Sequence, residues 1–129
     1  MDYSKVNIDE LEDHAPKFGL ESQESRFARR ELGAERIGVA HYRVRPNRRF
    51  EFGHRHRSME EAYFVLSGSG TFRVDDDIFA VGVRDVVRVA PGSWRGWEAG
   101  PEGMEVLAFG EHVEGDDESE MDMAWWPKG

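Results

Sequence analysis

The sequence contains no cysteine, which excludes disulfides, thiolate zinc sites and cysteine nucleophiles and leaves histidine and carboxylate as the side chains able to hold a metal. It also lacks any run approaching the roughly 18 consecutive apolar residues of a membrane-spanning helix. The opening "MDYSKVNIDELEDHAPK" is too acidic for a secretory or organellar leader, so the expected compartment is the cytoplasm. Basic charge is in deficit as well: a formal net charge of -9 argues against general nucleic-acid binding. What is present is one domain's worth of chain, 129 residues of which 39% are hydrophobic, enough to fill a single core.

The charge is unevenly spread. Residues 26 to 57 carry ten arginines against Glu31, Glu35 and Glu51, a local +7 that leaves -16 for the remainder. The acidic share includes "EGDDESEMD" near the C-terminus, which reads as a solvated tail with Trp125 and Trp126 beyond it as anchors. The arginine run reads as one exposed strand face, or as a docking surface for the acidic tail of the same chain or of a partner.

Gly, Pro and Asp punctuate the middle of the chain into short alternating segments, which predicts an all-β fold. Strands are expected near 36–44, 49–56, 61–67, 70–75, 78–82, 85–89, 93–98 and 104–109. Turns are expected at Pro46-Asn47, Ser67-Gly68, Asp75-Asp76-Asp77, Pro91-Gly92 and Gly100-Pro101. "SRFARREL", residues 25 to 32, predicts a short helix stopped by Gly33. Eight short strands suggest a sandwich or closed barrel, the usual way in which an all-β chain covers its edges.

The stretch "FGHRHRSMEEAYFVLSGSG", residues 52 to 70, carries the chemistry. Side chains two apart on a strand face the same way, so His54 and His56 share a face with Phe50 and Phe52, while Arg55 and Arg57 face oppositely. The phenylalanines make that face the interior. After a short turn, Glu61, Tyr63 and Val65 share a face of the next strand. With Glu61 inward, two imidazoles and a carboxylate converge, a ligand set that suits iron, zinc, manganese or nickel.

These residues resemble the cupin superfamily. Its first motif is a glycine, five residues, His-X-His, three or four residues, a glutamate, six residues and a glycine; here His54, His56, Glu61 and Gly68 fit, while Arg48 stands at the leading glycine. The resemblance covers roughly residues 36 to 110 and implies a single-domain jelly-roll β-barrel, often dimeric, with its ligand pocket in the barrel mouth. It leaves residues 1–35 as an N-terminal extension and 111–129 as an acidic tail. The second motif is degenerate in "RDVVRVAPGSWRGWEA", and Arg95 stands where the family has its further metal-binding histidine.

A guanidinium has no lone pair to give a metal, so the resemblance leaves two outcomes open. In one, Arg95 forms a bidentate ion pair with Glu61 and the barrel is metal-free or weakly metallated. In the other, Arg95 turns toward the pocket mouth and holds an anionic substrate group, while His54, His56 and Glu61 hold a single divalent Fe, Mn, Zn or Ni. Arg95, Tyr63 and Trp97 are the expected pocket residues for a small polar or anionic molecule. No catalytic residue is assigned.

Other conspicuous residues read more plainly. "SGSG" lacks the lysine and helix of a phosphate loop, Ser93 has no histidine-acid pair beside it, and His14 and His112 are expected at the surface. The face of His41 is undecided. The functional expectation is a small-molecule-binding cupin, with a metal-dependent dioxygenase or isomerase and a non-catalytic sensing module as alternatives. Neither nucleic acid nor membrane is expected as a partner, and a homodimer is expected because an open jelly roll leaves an edge or face to cover.

Overall fold

Alternation of apolar and polar residues drives nearly all the regular structure into strands. The computed structural model describes residues 1–115 and 119–127. Its strands are β1 (Gln23–Phe27), β2 (Ile37–Val44), β3 (Gly53–Arg55), β4 (Glu61–Val74), β5 (Asp77–Gly82), β6 (Val86–Val89), β7 (Arg95–Glu111) and β8 (Glu120–Asp122). The one α-helix among the described residues is α1 (Arg29–Leu32), and no helix there is long and apolar enough to cross a membrane. The strands form one curled antiparallel sheet. Its path runs β1-β2-β7-β3-β8, and β4 pairs with β5, β6 and β7. This is the all-β jelly-roll architecture that the sequence predicts.

Two of the expected turns do not reverse the chain. Ser67-Gly68 lies inside β4 and Gly100-Pro101 inside β7, so four expected strands merge into two long ones that pair from Glu61↔Gly110 to Val74↔Arg95. The β4–β7 register shifts at Val65/Ser67 and Gly68/Gly70. Gly68 has φ 74°, and a Cβ there would overlap the carbonyl oxygen of Gly103. Glycine thus marks a bend and a close backbone approach rather than a chain reversal. The remaining turns stand where expected; Asn47 takes the left-handed conformation at φ 59° and Gly92 at φ 84°.

The helix is also shorter than expected. Ser25, Arg26 and Phe27 pair with Tyr42, His41 and Ala40 as part of β1, and only Arg29–Leu32 is helical before Gly33 at φ 69°. Two-residue alternation explains this: Gln23 and Ser25 are buried, while Glu24 and Arg26 form an ion pair on the other face. The strand expected over 49–56 is confined to Gly53–Arg55, preceded by an isolated bridge between Arg49 and Glu98.

The core is centred on Trp97, which is fully buried. Its ring lies 5.1 Å from Tyr42, 5.2 Å from Phe50 and 5.5 Å from both Tyr63 and Phe72, centroid to centroid. Its indole N–H donates to Gln23 Oε1 at 2.9 Å, and Gln23 Nε2 donates to Ser25 Oγ at 3.0 Å. The buried polar groups of β1 are thereby satisfied.

Candidate metal and ligand site

Three chain segments meet at one end of this core. β3 carries His54, the loop after it carries His56, β4 begins at Glu61 and β7 begins at Arg95. Parity on β3 turns His54 inward, where it is buried, while Arg55 lies on the outer side with its guanidinium 4.6 Å over Trp94. His54 and Arg95 are direct cross-strand partners. That pairing brings the two ends of the constellation together although they are far apart in sequence.

His54, His56 and Glu61 each offer a ligand atom, and these atoms all lie within 4.8 Å of one another. His56 Nε2 is 3.2 Å from Glu61 Oε1, a spacing compatible with two donors on one ion at bond lengths of about 2.0–2.2 Å. Tyr63 Oη donates to Glu61 Oε1 at 2.8 Å and lies 3.5 Å from His54 Nε2. The donor set therefore fits a divalent transition metal. Against it stands Arg95, whose Nη2 is 3.9 Å from Glu61 Oε1.

Electrostatics sharpen this picture. Burial holds the His54 imidazole down to about 3, with Arg95 and His56 pushing the same way against Glu61, so the ring is neutral near pH 7 and keeps a lone pair. For Glu61, burial pushes upward, but the hydrogen bond and charge of His56 and the charge of Arg95 outweigh it and hold the carboxyl at about 2. Burial and then the Glu61 charge push the Tyr63 and Tyr42 phenols upward, so both remain neutral.

Arg95 departs from both arrangements expected for it. It forms no bidentate pair with Glu61, because the single contact at 3.9 Å is too long for a hydrogen bond. Nor does it reach the surface: it is 0% exposed, and Nε, Nη1 and Nη2 all lack a hydrogen-bond partner. The Nδ1 atoms of His54 and His56 are likewise buried without a partner.

Among the expected pocket residues, Tyr63 touches Glu61 and Trp97 stacks edge-on to His54 at 5.9 Å between centroids. Trp97 is at once wall and core. Tyr42 was missed, although its parity with Ala40 and Val44 places it on the inner face of β2; its phenol senses the charges of Glu61 and Arg95. His41 proves to lie outside the site, with Nε2 2.9 Å from Glu105 Oε1. Two shallow surface grooves, one beside Arg43–Pro46 and Gly103 and one beside Pro16–Glu21, contain no residue of the constellation. Their lining offers no buried cation, so the constellation is the stronger candidate.

Comparison with known proteins agrees with the fold. The family described as Cupin domain matches residues 40–110; the chain belongs to the cupin family. No curated protein matches it in sequence. A cupin protein from Bacteroides fragilis superposes with a TM-score of 0.70 at 19% identity, covering 89% of this chain and 88% of that one. A polyketide cyclase of Streptomyces resistomycificus gives 0.68 at 18% identity, with 88% of each chain covered. Bacillus subtilis oxalate decarboxylase gives 0.74 at 20% identity, covering 92% of this chain but 33% of its own. At these identities the likeness establishes the fold alone.

Proposed function

We propose that this cupin binds a small anionic molecule, a carboxylate above all, against Arg95, in a site that is metal-free or holds a divalent transition metal weakly. One observation carries the reading: the Arg95 guanidinium is wholly buried and none of its nitrogens has a hydrogen-bond partner in the protein. A desolvated cation with unused donors costs several kcal/mol. A carboxylate accepting two of those donors offsets that cost with a planar match that lysine would not provide. Trp97 and Tyr63 supply the adjoining walls, and Tyr63 orients the Glu61 carboxylate by donating to it.

A metal, where bound, would be held by His54, His56 and Glu61 and would polarise an oxygen of the substrate as a Lewis acid. The 3.2 Å approach of His56 Nε2 to Glu61 Oε1 favours this metal-dependent reading. A dioxygenase or isomerase type of enzyme would use the site in that form. The non-catalytic alternative, a sensing module, uses only the Arg95 contact. Calorimetric titration of untagged protein with small mono- and dicarboxylates and with phosphate tests the first reading. Binding that disappears in Arg95→Gln supports it; equal binding by wild type and variant, or none by either, overturns it. Elemental analysis of the same preparation separates the metallated from the metal-free form.

We also propose a second copy of the chain as a partner. The outer face of β2, β7, β4 and β6 exposes Ile37, Phe109, Leu66 and Val86, apolar side chains that an isologous contact would cover. Sedimentation at tens of micromolar tests it, and a monomer there sinks the idea.

A further inference from the structure

The acidic, tryptophan-bearing end of the chain is built onto the histidine strand. β3 has one register pair with β7, His54↔Arg95, but three with β8: Gly53↔Asp122, His54↔Met121 and Arg55↔Glu120. The Arg55↔Glu120 pair is also bridged by its side chains, with Arg55 Nε at 2.9 Å and Nη2 at 2.7 Å from Glu120 Oε2. Part of the acidic run, residues 116–118, lies outside the described residues. Beyond β8 the chain folds over the outer side of the same strands. Trp125 and Trp126 pack edge to face at 5.0 Å on a shelf that exists because Gly53 and Gly96 have no side chain. A Cβ on Gly53 would overlap the Trp125 ring, and one on Gly96 would stand 2.7 Å from Trp125 Cζ3 and 3.3 Å from Trp126 Cζ2.

The shelf grips both tryptophans by polar contacts as well. Arg73 Nη1 donates to the Trp125 carbonyl at 2.6 Å, and its Cζ sits 4.2 Å over the Trp125 ring. Trp126 Nε1 donates to the Phe50 carbonyl at 2.6 Å, with Arg49 Cζ 4.5 Å over that ring. The two glycines adjoin His54 and Arg95 in sequence, so the seated tryptophans back the two strands whose opposite faces form the site.

We propose that residues 120–127 are a strap that positions His54 and Arg95, and that seating of the strap and capture of a ligand or metal at the constellation stabilise one another. The reasoning is linkage: a strand with one pair to its barrel neighbour and three to the strap takes most of its pairing from the strap, and anything that orders it from one side favours order from the other. Trp125, Trp126 and Arg73 act through β3 and β7 and are positioning residues. Only the metal arm of the test rests on the reading of the site given above.

Hydrogen exchange measured by mass spectrometry on metal-free, full-length protein provides the test. Trp125→Ala is expected to speed exchange of residues 52–57 by about tenfold or more. Arg73→Gln, which releases the same ring from a distant strand, should act in the same direction to a lesser degree, and Trp125→Phe should restore most of the protection. Segment 37–44, in β2 and free of the substituted residues, should hold its wild-type protection throughout. Unchanged exchange over 52–57 in both Trp125→Ala and Arg73→Gln overturns the proposal, as does equal acceleration along the whole chain in both, which would make the strap a general stabiliser. Nickel titration adds the linked arm: Trp125→Ala should weaken uptake several-fold. Absence of nickel uptake by wild type would defeat the metal reading, while the exchange data would still decide the strap.

Discussion

The β4–β7 ladder and the three-residue strand β3 lie side by side and are held by different physics. Along the ladder, pairing continues from Glu61↔Gly110 to Val74↔Arg95, and its inner face buries Tyr63, Val65, Phe72 and Trp97 completely. β3 has one register pair to β7 and otherwise depends on an ion pair, two tryptophans and a late strand. The chemistry-bearing His54 therefore sits on a sparsely paired strand beside an extensively paired one, and sparse pairing is where local opening costs least.

The comparison breaks most severely at its rigid half. Trp97→Ala removes a fully buried ring packed on Tyr42, Phe50, Tyr63 and Phe72 and leaves Gln23 without its indole partner; a loss of about 3–5 kcal/mol is expected by denaturant unfolding. At the junction of the two halves the expected sign reverses. Arg95→Met exchanges a buried, unsatisfied cation for an apolar side chain of similar reach, while Glu61 keeps Tyr63 and His56. Ligand-free protein should gain less than the ~1–4 kcal/mol seen when both members of a buried ion pair are replaced, because Glu61 loses a nearby positive charge; the gain is read as a raised unfolding midpoint, accompanied by loss of anion binding. A lowered midpoint would mean that the guanidinium is matched in ways its contacts do not reveal.

A smaller effect concerns the metal. Arg95→His places an imidazole opposite His54 and removes the charge near Glu61, so affinity for nickel or manganese should rise about tenfold, equivalent to about 1.4 kcal/mol. Glu61→Ala in that background should lower it again, and Arg95→Gln separates removal of charge from gain of a ligand. Tight one-to-one binding by wild type with no gain in Arg95→His would instead favour Arg95 as a substrate-holding group beside a working metal. The smallest expected effect lies on the outer surface: Glu98→Gln breaks the half-exposed pair with Arg49 at 2.8 Å at a cost below about 1 kcal/mol. A larger loss would show that Arg49 holds Trp126 through this pair.

The inward set was legible because it is local. His54 and His56 are two apart and Glu61 opens the next strand, so parity and one short turn place all three. The same parity rule put Arg95 and Trp97 on one face of β7, and the fold makes that face the inner one. Glycine was less informative: at Gly68 and Gly100 it signalled a break in alternation, and both fall in one irregularity of the β4–β7 ladder, where Gly68 faces Met104 and Gly70 faces Ala99 while each strand runs on. Gln23 and Ser25 escaped notice because polar residues rarely occupy a core, and their burial depends on the indole of Trp97.

The alternation of the chain, the His-X-His spacing and the turn residues by themselves determined an all-β cupin barrel with an inward pair of imidazoles, since each depends on neighbours a few residues away. Which state Arg95 adopts was decided only by the tertiary structure: its distance from Glu61 and the orphaning of its nitrogens depend on how β3, β4 and β7 converge. The strap was decided there too, for the pairing of 120–122 with 53–55 joins segments 65 residues or more apart. No local pattern encodes such a contact. It arises because two glycines, in strands far apart along the chain, leave a surface of the right depth for two indoles.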